Sequence, residues 1–338
     1  MGEYARCLAI ATAMARRHAD LEVHFALSRA APYAAASPFP ATLLESSPTF
    51  NTRAVCALIR DFRPTVVLFD NAGRTRQLQA AREEGARVIF VSSRRRQRRK
   101  AFRVRWMALL DEHWIAWPEF VAGALTWMER LKLRLGHRPR VRFVDALLPA
   151  PDPALAAECL ARFGLRAGEY LLMVPGGGTG HRGAEDAPAI VARGARAIAL
   201  RGYNTLLIGS TPGDGQEPPR LQRAPLLSLG ELCELIRSSR LVVCNGGDTL
   251  LQTLACGRPC VAVPIAGDQG HRIASCARAG LAVAARLDAE SIEQAATALL
   301  EDGAMRGAIE QRLARRPVRD CMAEVLEALD ASLGRSRN

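Results

Sequence analysis

The chain has 338 residues, and its 46 Lys and Arg residues against 34 Asp and Glu residues give a net charge of +12. This length is enough for two domains that each bury a core. The sequence has no run of about 18 apolar residues and no charged-then-apolar leader, which argues against spanning helices and secretion and predicts a cytoplasmic protein. The positive charge favours phosphate-rich partners, namely a nucleotide, an anionic membrane surface or nucleic acid.

The nine cysteines include no C-x-x-C pair, and several of them, such as Cys244 and Cys260, lie inside apolar runs. This pattern predicts reduced, buried thiols rather than a disulfide framework or a zinc site. We therefore expect no bound metal.

The N-terminal residues predict a helix that continues to about Arg17, followed by a strand over residues 22–27. A helix this early, with no strand before it, is unusual for a Rossmann-like domain, because the first parallel strand normally leads into the first glycine turn. Either the start codon lies upstream or the domain has lost its first strand, and we favour the upstream start.

Strands over residues 65–70 and 87–92, with a helix between them, predict a parallel crossover. A run with eight basic residues then covers residues 94–105 and ends beside Trp106. It has three interpretations: a solvated helix face, contact with an anionic leaflet with Phe102 and Trp106 at the interface, or nucleic-acid binding. Nucleic acid is disfavoured as a partner, because no recognition-helix, RNA-platform or zinc-finger signature accompanies the charge.

The proline-dense segment 147–153 predicts a boundary between an N-terminal domain, residues 1–148, and a C-terminal domain, residues 149–338. A buried strand over residues 170–174 then enters a glycine-rich turn, where main-chain N–H groups can bind an anion. The spacing does not fit a P-loop, because no Lys follows the glycines. Further strands are predicted at residues 204–209 and 224–229.

A second glycine turn, residues 245–247, follows an apolar strand over residues 241–244. These residues can take positive φ values, and Asp248 or Thr249 is expected to cap the helix that follows. Another buried strand covers residues 260–264. Free N–H groups and the helix dipole at the carboxyl ends of two strands favour a phosphate, although such turns are also common in α/β folds without a ligand.

This part of the chain resembles the donor-binding half of the GT-B nucleotide-sugar glycosyltransferases. The resemblance lies in the order of its elements and motifs, which is strand, GG-[DST]-T, helix, G-x-P, strand, V-P and G-D-Q. Residues 2–12 also resemble the G-H-x-x-R-C-L-x-L-A signature of the nucleotide-sugar hydrolase of the pseudaminic acid pathway, itself a GT-B protein. Gly2, Arg6 and Cys7 match that signature, and Glu3 stands in place of its catalytic histidine. The resemblance implies an α/β fold with two Rossmann-like domains that face each other across a cleft.

The resemblance also implies the roles of individual residues. The glycine turns hold the donor diphosphate, the backbone near residues 227–232 pairs with the base, and the D-Q pair contacts the sugar hydroxyls. Gln252 stands where a carboxylate usually binds the ribose, and an amide should hold that diol less strongly. The expected donor-binding residues are Gly176, Gly177, Gly178, Thr179, Gly180, Leu229, Gly246, Gly247, Asp248, Thr249, Gln252, Asp268 and Gln269.

The expected function is metal-independent transfer of a sugar from a nucleotide donor, with UDP as the expected nucleotide, to a hydroxyl of a carbohydrate or lipid-linked acceptor. The nucleotide-sugar is a substrate, and no cofactor is expected. Glu3 is the candidate general base that takes the proton of the acceptor hydroxyl. Two alternatives remain at this point: a hydrolase that uses water as the acceptor, and a non-catalytic protein that binds a sugar-nucleotide or a membrane.

Overall fold

The structure is a computed structural model that describes residues 2–31, 34, 37–136, 138–176, 186–209, 217–315 and 317–334. The chain divides into two compact units, the first formed by Glu3–Asp145 with Cys321–Asn338 and the second by Ala146–Asp320. The sequence-based division differs from this one, because it leaves residues 321–338 in the second domain. None of the helices in the described part of the chain has the length and apolar composition that a bilayer crossing requires.

The strands are short and parallel to their neighbours. They are β1 Phe25–Ser28, β2 Ala41–Leu44, β3 Val66–Asp70, β4 Arg87–Ser92, β5 Glu112–Ile115, β6 Arg140–Phe143, β7 Tyr170–Val174, β8 Asn204–Ile208, β9 Leu221–Ala224, β10 Leu241–Asn245, β11 Cys260–Val263 and β12 Val283–Ala284.

The helices connect these strands. They are α1 Gly2–Arg17, α2 Thr52–Phe62, α3 Thr75–Glu83, α4 Arg95–Ala101, α5 Val104–Met107, α6 Glu119–Ala122, α7 Trp127–Gly136, α8 Pro153–Arg162, α9 Ala187–Leu200, α10 Leu229–Ser238, α11 Asp248–Ala255, α12 Gln269–Arg278, α13 Ala289–Glu301, α14 Gly303–Ala314 and α15 Met322–Gly334.

The first unit contains two separate parallel sheets. One has the order β3-β4-β5-β6 and the other pairs β1 with β2. Strand β4 is almost continuously apolar and buried, as expected of a parallel strand that is covered on both faces. The strands predicted at residues 65–70 and 87–92 are thus confirmed. Strand β1 begins later than predicted, and β2 was not predicted.

The second unit is one six-stranded parallel sheet with the order β12-β11-β10-β7-β8-β9. The first strand of the unit, β7, lies next to the fourth, β10, so the chain runs outward in opposite directions from this pair. In doubly wound sheets, ligands bind at this reversal, outside the carboxyl ends of the two strands. Strand β9 ends at Ala224, so the strand predicted over residues 224–229 is wrong. Pro225 follows immediately and has no N–H group for a ladder.

All nine cysteines are free and seven are buried, which agrees with the predicted reduced thiols. Burial raises the pKa of Cys256 to about 11 and that of Cys276 to about 12. These thiols therefore stay protonated near neutral pH and contribute to packing rather than to reactivity.

The His113 imidazole is fully buried in β5, where its Nε2 lies 2.8 Å from the Ser92 hydroxyl. Burial, with a smaller contribution from the charge of Arg98, lowers the pKa of His113 to about 3 from 6.5. Between these two pH values the unfolded chain binds a proton that the folded chain does not. The folded state therefore loses stability as pH falls through this window, by up to about 1.4 kcal/mol per pH unit.

We expect His113→Gln to reduce this acid-side slope, because glutamine has no group that protonates there. Urea unfolding at pH 4.5, 5.5 and 7 measures the slope, with His271→Gln at an exposed position as the control. Equal slopes in the two variants and the parent would contradict the assignment of the slope to His113.

Candidate functional site

The turn between β10 and α11 lies at the reversal point of the second sheet. Gly247 occupies the cap position of α11, and no side chain caps the first turn of this helix. The prediction that Asp248 or Thr249 is the cap is therefore wrong, since both lie inside the helix. A glycine cap brings no side chain that would occupy the first N–H groups, so the N-terminus of the helix suits an anion.

Close packing rather than positive φ explains why this turn needs glycine. Gly247 has a φ of −98°, and the positive φ values of the chain do not include Gly246. A Cβ on Gly246 would lie 2.8 Å from Ile273 Cδ1 and 2.9 Å from Gln269 Cβ. The two glycines of this turn therefore do not use the positive φ values that glycine permits, and α12 takes the space that a side chain would need.

Asn245 connects the ends of the two central strands. Its Oδ1 accepts a hydrogen bond of 2.7 Å from the N–H of Gly247, and its Nδ2 donates one of 3.2 Å to the carbonyl of Pro175. Sequence reasoning treated Asn245 only as a turn residue. The amide that ends a buried strand directly before two glycines was the available signal of this role.

Gly176 begins the glycine-rich turn after β7. Its φ is +142°, in the region that favours glycine, and a Cβ there would lie 3.0 Å from Asn245 Nδ2. The structure therefore places Gly176 beside the turn that follows β10. Gly177, Gly178, Thr179 and Gly180, which the sequence also assigns to the donor site, lie outside the described residues.

The Gln269 side chain is buried and hydrogen-bonded to main chain. Its Oε1 accepts from the N–H of Gly246 at 3.2 Å and from the N–H of Ile265 at 2.9 Å. The carboxamide thus holds the turn after β10 against the loop after β11. Its neighbour Asp268 is half exposed and forms an ion pair of 2.7 Å with Arg272.

We expect Gln269→Met to destabilise the fold by about 1–3 kcal/mol, because methionine keeps the length of the side chain but leaves two N–H groups without their acceptor. Gln294→Met, the same change at an exposed position of α13, is the control. Denaturant unfolding gives the comparison. Equal effects of the two substitutions would show that the two hydrogen bonds contribute no stability.

Two other predicted donor residues lie further along the helices. Gln252 is buried on α11, with 8% of its surface exposed. Leu229 is the first residue of α10, which follows the edge strand β9 and is capped by Ser228 and Glu231. The structure therefore brings Gly176, Gly246, Gly247 and Gln269 together, whereas Leu229 begins the helix that follows the edge strand β9.

A polar cluster in the first unit surrounds Glu3. Glu3 lies in the first turn of α1. Asn71 donates to Glu3 Oε1 at 3.3 Å and to the Ser93 hydroxyl at 2.6 Å. Asn71 has a φ of +52°, a left-handed conformation that Asn tolerates better than most residues. Its side chain is thus held between Glu3 and Ser93.

The Glu3 carboxylate is partly exposed and favours its ionised form. Burial alone raises its pKa, but a backbone hydrogen bond, the charge of the N-terminus and the charges of Arg6 and Arg94 outweigh that effect, so the pKa lies below its ordinary value of 4.5. Arg94 approaches Glu3 Oε1 to 3.7 Å, while Arg6 pairs with Asp70 at 2.7 Å. Glu3 is therefore an anion near neutral pH that can accept a proton, although its low basicity limits the driving force for that transfer.

Six of the eight basic residues in the run after β4 are exposed, whereas Arg98 is buried and Lys100 is half-buried. Arg98 pairs with Glu129 at 2.7 Å and donates to three main-chain carbonyls. Lys100 donates to the Gly73 carbonyl at 2.8 Å. Phe102 and Trp106 are each only 3% exposed, so their expected position at a membrane interface is wrong.

No family model and no curated protein sequence matches the chain. Several solved structures do match it. The spinosyn forosaminyltransferase SpnP superposes with a TM-score of 0.65 at 15% identity over 96% of this chain and 95% of its own. UGT2 of Phytolacca americana, complexed with UDP-2fluoro-glucose and pterostilbene, gives 0.67 at 13% identity over 98% and 97%.

A structure described as a putative UDP-N-acetylglucosamine 2-epimerase from Listeria monocytogenes also superposes, with a TM-score of 0.61 at 12% identity over 98% of this chain and 94% of its own. At these identities the likeness concerns the fold. The chain has the GT-B fold of these glycosyltransferases, in which one polypeptide forms two Rossmann-like α/β domains.

Proposed function

We propose that the protein is a glycosyltransferase that transfers a sugar from a nucleotide donor, with UDP as the nucleotide, to an acceptor hydroxyl. The observation that carries this proposal is the uncapped N-terminus of α11 at the reversal point of the second sheet. Gly246 and Gly247 form a tightly packed turn directly before this helix. Their own N–H groups donate to Gln269 and Asn245, so the N–H groups proposed to face a phosphate are those of Asp248 and Thr249 at the start of α11. Two of the proteins of this fold named above support the proposal, because UGT2 is described in complex with UDP-2fluoro-glucose and the Listeria protein as a putative UDP-N-acetylglucosamine 2-epimerase.

The turn suits a leaving diphosphate because charge develops there as the sugar departs. A helix N-terminus carries roughly half a positive charge, and fixed N–H groups need no reorganisation when the phosphate becomes more negative. Asn245 and Gln269 keep the turn in place through the hydrogen bonds described above. This pre-organisation is the contribution that the second unit would make to the reaction.

In the proposed reaction, Glu3 accepts the proton of the acceptor hydroxyl while the acceptor oxygen forms a bond to the anomeric carbon. The bond from that carbon to the diphosphate oxygen breaks, and the nucleoside diphosphate leaves with the bonding electrons. Asn71 is a positioning residue, because its side chain donates to the Glu3 carboxylate and is itself held by Ser93. The acceptor is a carbohydrate or a lipid-linked molecule.

Titration with UDP, TDP, GDP and CDP tests the donor proposal. We expect one of them, UDP first, to bind and to raise the melting temperature in a concentration-dependent way. Well-folded protein that binds none of the four in a calorimeter would refute the donor site.

A second candidate function is turnover of the nucleotide-sugar without a sugar acceptor. The match of Gly2, Arg6 and Cys7 to the hydrolase signature favours hydrolysis, and the likeness to the protein described as a putative epimerase adds epimerisation as a reaction to test. Product analysis after incubation with a UDP-sugar alone separates these reactions. Free sugar indicates hydrolysis, an isomeric UDP-sugar indicates epimerisation, and an unchanged donor that reacts only with an acceptor indicates transfer.

We also propose that α7 contacts an anionic membrane surface and that the protein binds its acceptor there. Trp127 is 68% exposed and Leu135 is 75% exposed on this helix, and Arg130 and Arg134 are exposed between them. Exposed apolar side chains among basic ones are typical of helices that lie in a membrane interface.

Liposome pelleting tests this contact. We expect binding to vesicles with anionic lipid that weakens in salt, and a loss of binding in Trp127→Ser with Leu135→Ser. Phe50→Ser, at an exposed aromatic residue outside α7, is the control. Equal binding to neutral vesicles, or no binding at all, would contradict the proposal.

A further inference from the structure

A cavity of about 600 Å³ lies inside the first unit, between β1 and β3. Its wall includes every residue of both strands, residues 25–28 and 66–70. Successive side chains of a strand point to opposite faces of the sheet, so a wall made of consecutive residues presents the edge of the strand rather than one face. Among the described residues, β1 pairs only with β2, and β3 pairs only with β4. The cavity therefore separates two open, parallel sheet edges.

Apolar helix side chains form much of the rest of the cavity wall, and polar residues such as Glu3, Asn71 and Arg94 also line it. Ile10 and Met14 of α1, Ile59 of α2 and Leu329 of α15 all line it. The space is thus bounded by two strand edges and by the side chains of three helices. A central strand of a parallel sheet requires this environment, because it is paired on both edges and packed against apolar side chains on its faces.

The first turn of α1 fixes the direction of a strand that would fill the space. Arg6 on this helix pairs at 2.7 Å with Asp70, the last residue of β3. A strand that ends where α1 begins would therefore have its carboxyl end beside the carboxyl end of β3 and would run parallel to it. The strand, α1 and β1 would then form the crossover unit that connects neighbouring parallel strands.

We propose that this cavity is the site of one further β-strand, an extended apolar segment of about five residues joined directly to the start of α1. The length follows from the five residues of β3, which span about 16 Å at roughly 3.3 Å per residue. The segment would pair with β1 on one side and with β3 on the other. It would thereby join the two sheets of the first unit into one continuous parallel sheet.

The occupant is a peptide rather than a small apolar molecule because both walls present main-chain groups. Open strand edges expose N–H and C=O groups that an added strand pairs with through its own main chain. An apolar ligand would cover the side chains but leave these polar groups without partners. Residues of high β-propensity, such as Val and Ile, therefore match the site best.

Two N-terminal fusions to the full chain test this proposal. One places Val-Ile-Val-Ile-Val directly ahead of Gly2, and the matched control places Ser-Asp-Pro-Asp-Ser there. A third fusion with alternating Thr and Val keeps the test valid if the most apolar extension aggregates. The measurements are amide hydrogen exchange of β1 and β3, the melting temperature, and fluorescence of the apolar dye ANS.

We expect the apolar or the Thr-Val extension to slow exchange of the edge amides in residues 25–28 and 66–70 by about 100-fold or more, as expected for amides that become part of a cooperative unit. The melting temperature should rise and ANS emission should fall, whereas the control extension should change none of the three. Edge amides that exchange as in the control, in folded protein carrying either strand-forming extension, would overturn the proposal. Displacement of ANS by a medium-chain alcohol in that protein would identify a small-molecule cavity instead.

Discussion

Gly246→Ala is expected to weaken UDP binding by tenfold or more, about 1.4 kcal/mol, and to destabilise the second unit by about 1–3 kcal/mol. The new methyl group would lie 2.8 Å from Ile273 Cδ1 and 2.9 Å from Gln269 Cβ, both on α12. Relief of these contacts requires the turn or α12 to move. Movement of the turn would displace the N–H groups that are proposed to face the diphosphate. Calorimetric titration with UDP and denaturant unfolding measure the two effects.

Gly270→Ala is the matched control for this substitution. Gly270 lies on the same helix as Ile273, and a Cβ at this position meets nothing within 4 Å. Alanine is favoured over glycine inside a helix, so this variant should be as stable as the parent or slightly more stable. If Gly246→Ala binds UDP as tightly as Gly270→Ala does, the turn after β10 does not hold the donor.

Glu3→Gln is expected to lower turnover by about 10²–10⁴-fold while donor affinity stays nearly unchanged, because glutamine keeps the shape of the side chain but cannot accept the proton. The steady-state rate and the UDP dissociation constant are both measured on the same protein. Glu119→Gln, at an exposed position in the first turn of α6, controls for loss of a helix-end charge, which contributes about 0.3–1 kcal/mol.

The pH dependence gives a second test of Glu3. Because the pKa of Glu3 lies below its ordinary value of 4.5, the carboxylate is protonated at a lower pH than that of an ordinary glutamate. The acid limb of kcat/KM that belongs to the base should therefore lie below pH 4.5. A turnover that does not change in folded, donor-binding Glu3→Gln would exclude Glu3 as the base and leave it a helix-end charge.

Local sequence patterns predicted much of the second unit. Strand β10, the glycine turn and α11 follow from an apolar run that stops at Asn245, and α9 and β11 follow from similar signals. These patterns depend only on residues that are close in the chain, so the helices and strands that they predict are found in the structure. The role of Gln269 could not be predicted from such a pattern, because its hydrogen bonds to Gly246 and Ile265 depend on the packing of α12.

The basic run shows that charge alone does not decide which residues of a stretch face the solvent. Six of its eight basic residues are exposed, yet Arg98, Phe102 and Trp106 are buried. Arg98 enters the interior because Glu129, 31 residues later in the chain, supplies a carboxylate. Likewise, the grouping of α15 with the first unit depends on long-range packing, which a local pattern cannot reveal.

The most direct test of the central claim is to follow the amide resonances of the ¹⁵N-labelled protein during titration with UDP. The claim is that the turn after β10 and the start of α11 bind the donor diphosphate. We predict that the amides of Asp248 and Thr249 show the largest shifts, and that those of Gly246 and Gly247, which donate to Gln269 and Asn245, shift less but follow the same saturating curve. Saturating UDP that leaves these four amides unchanged, while amides elsewhere shift, would contradict the claim.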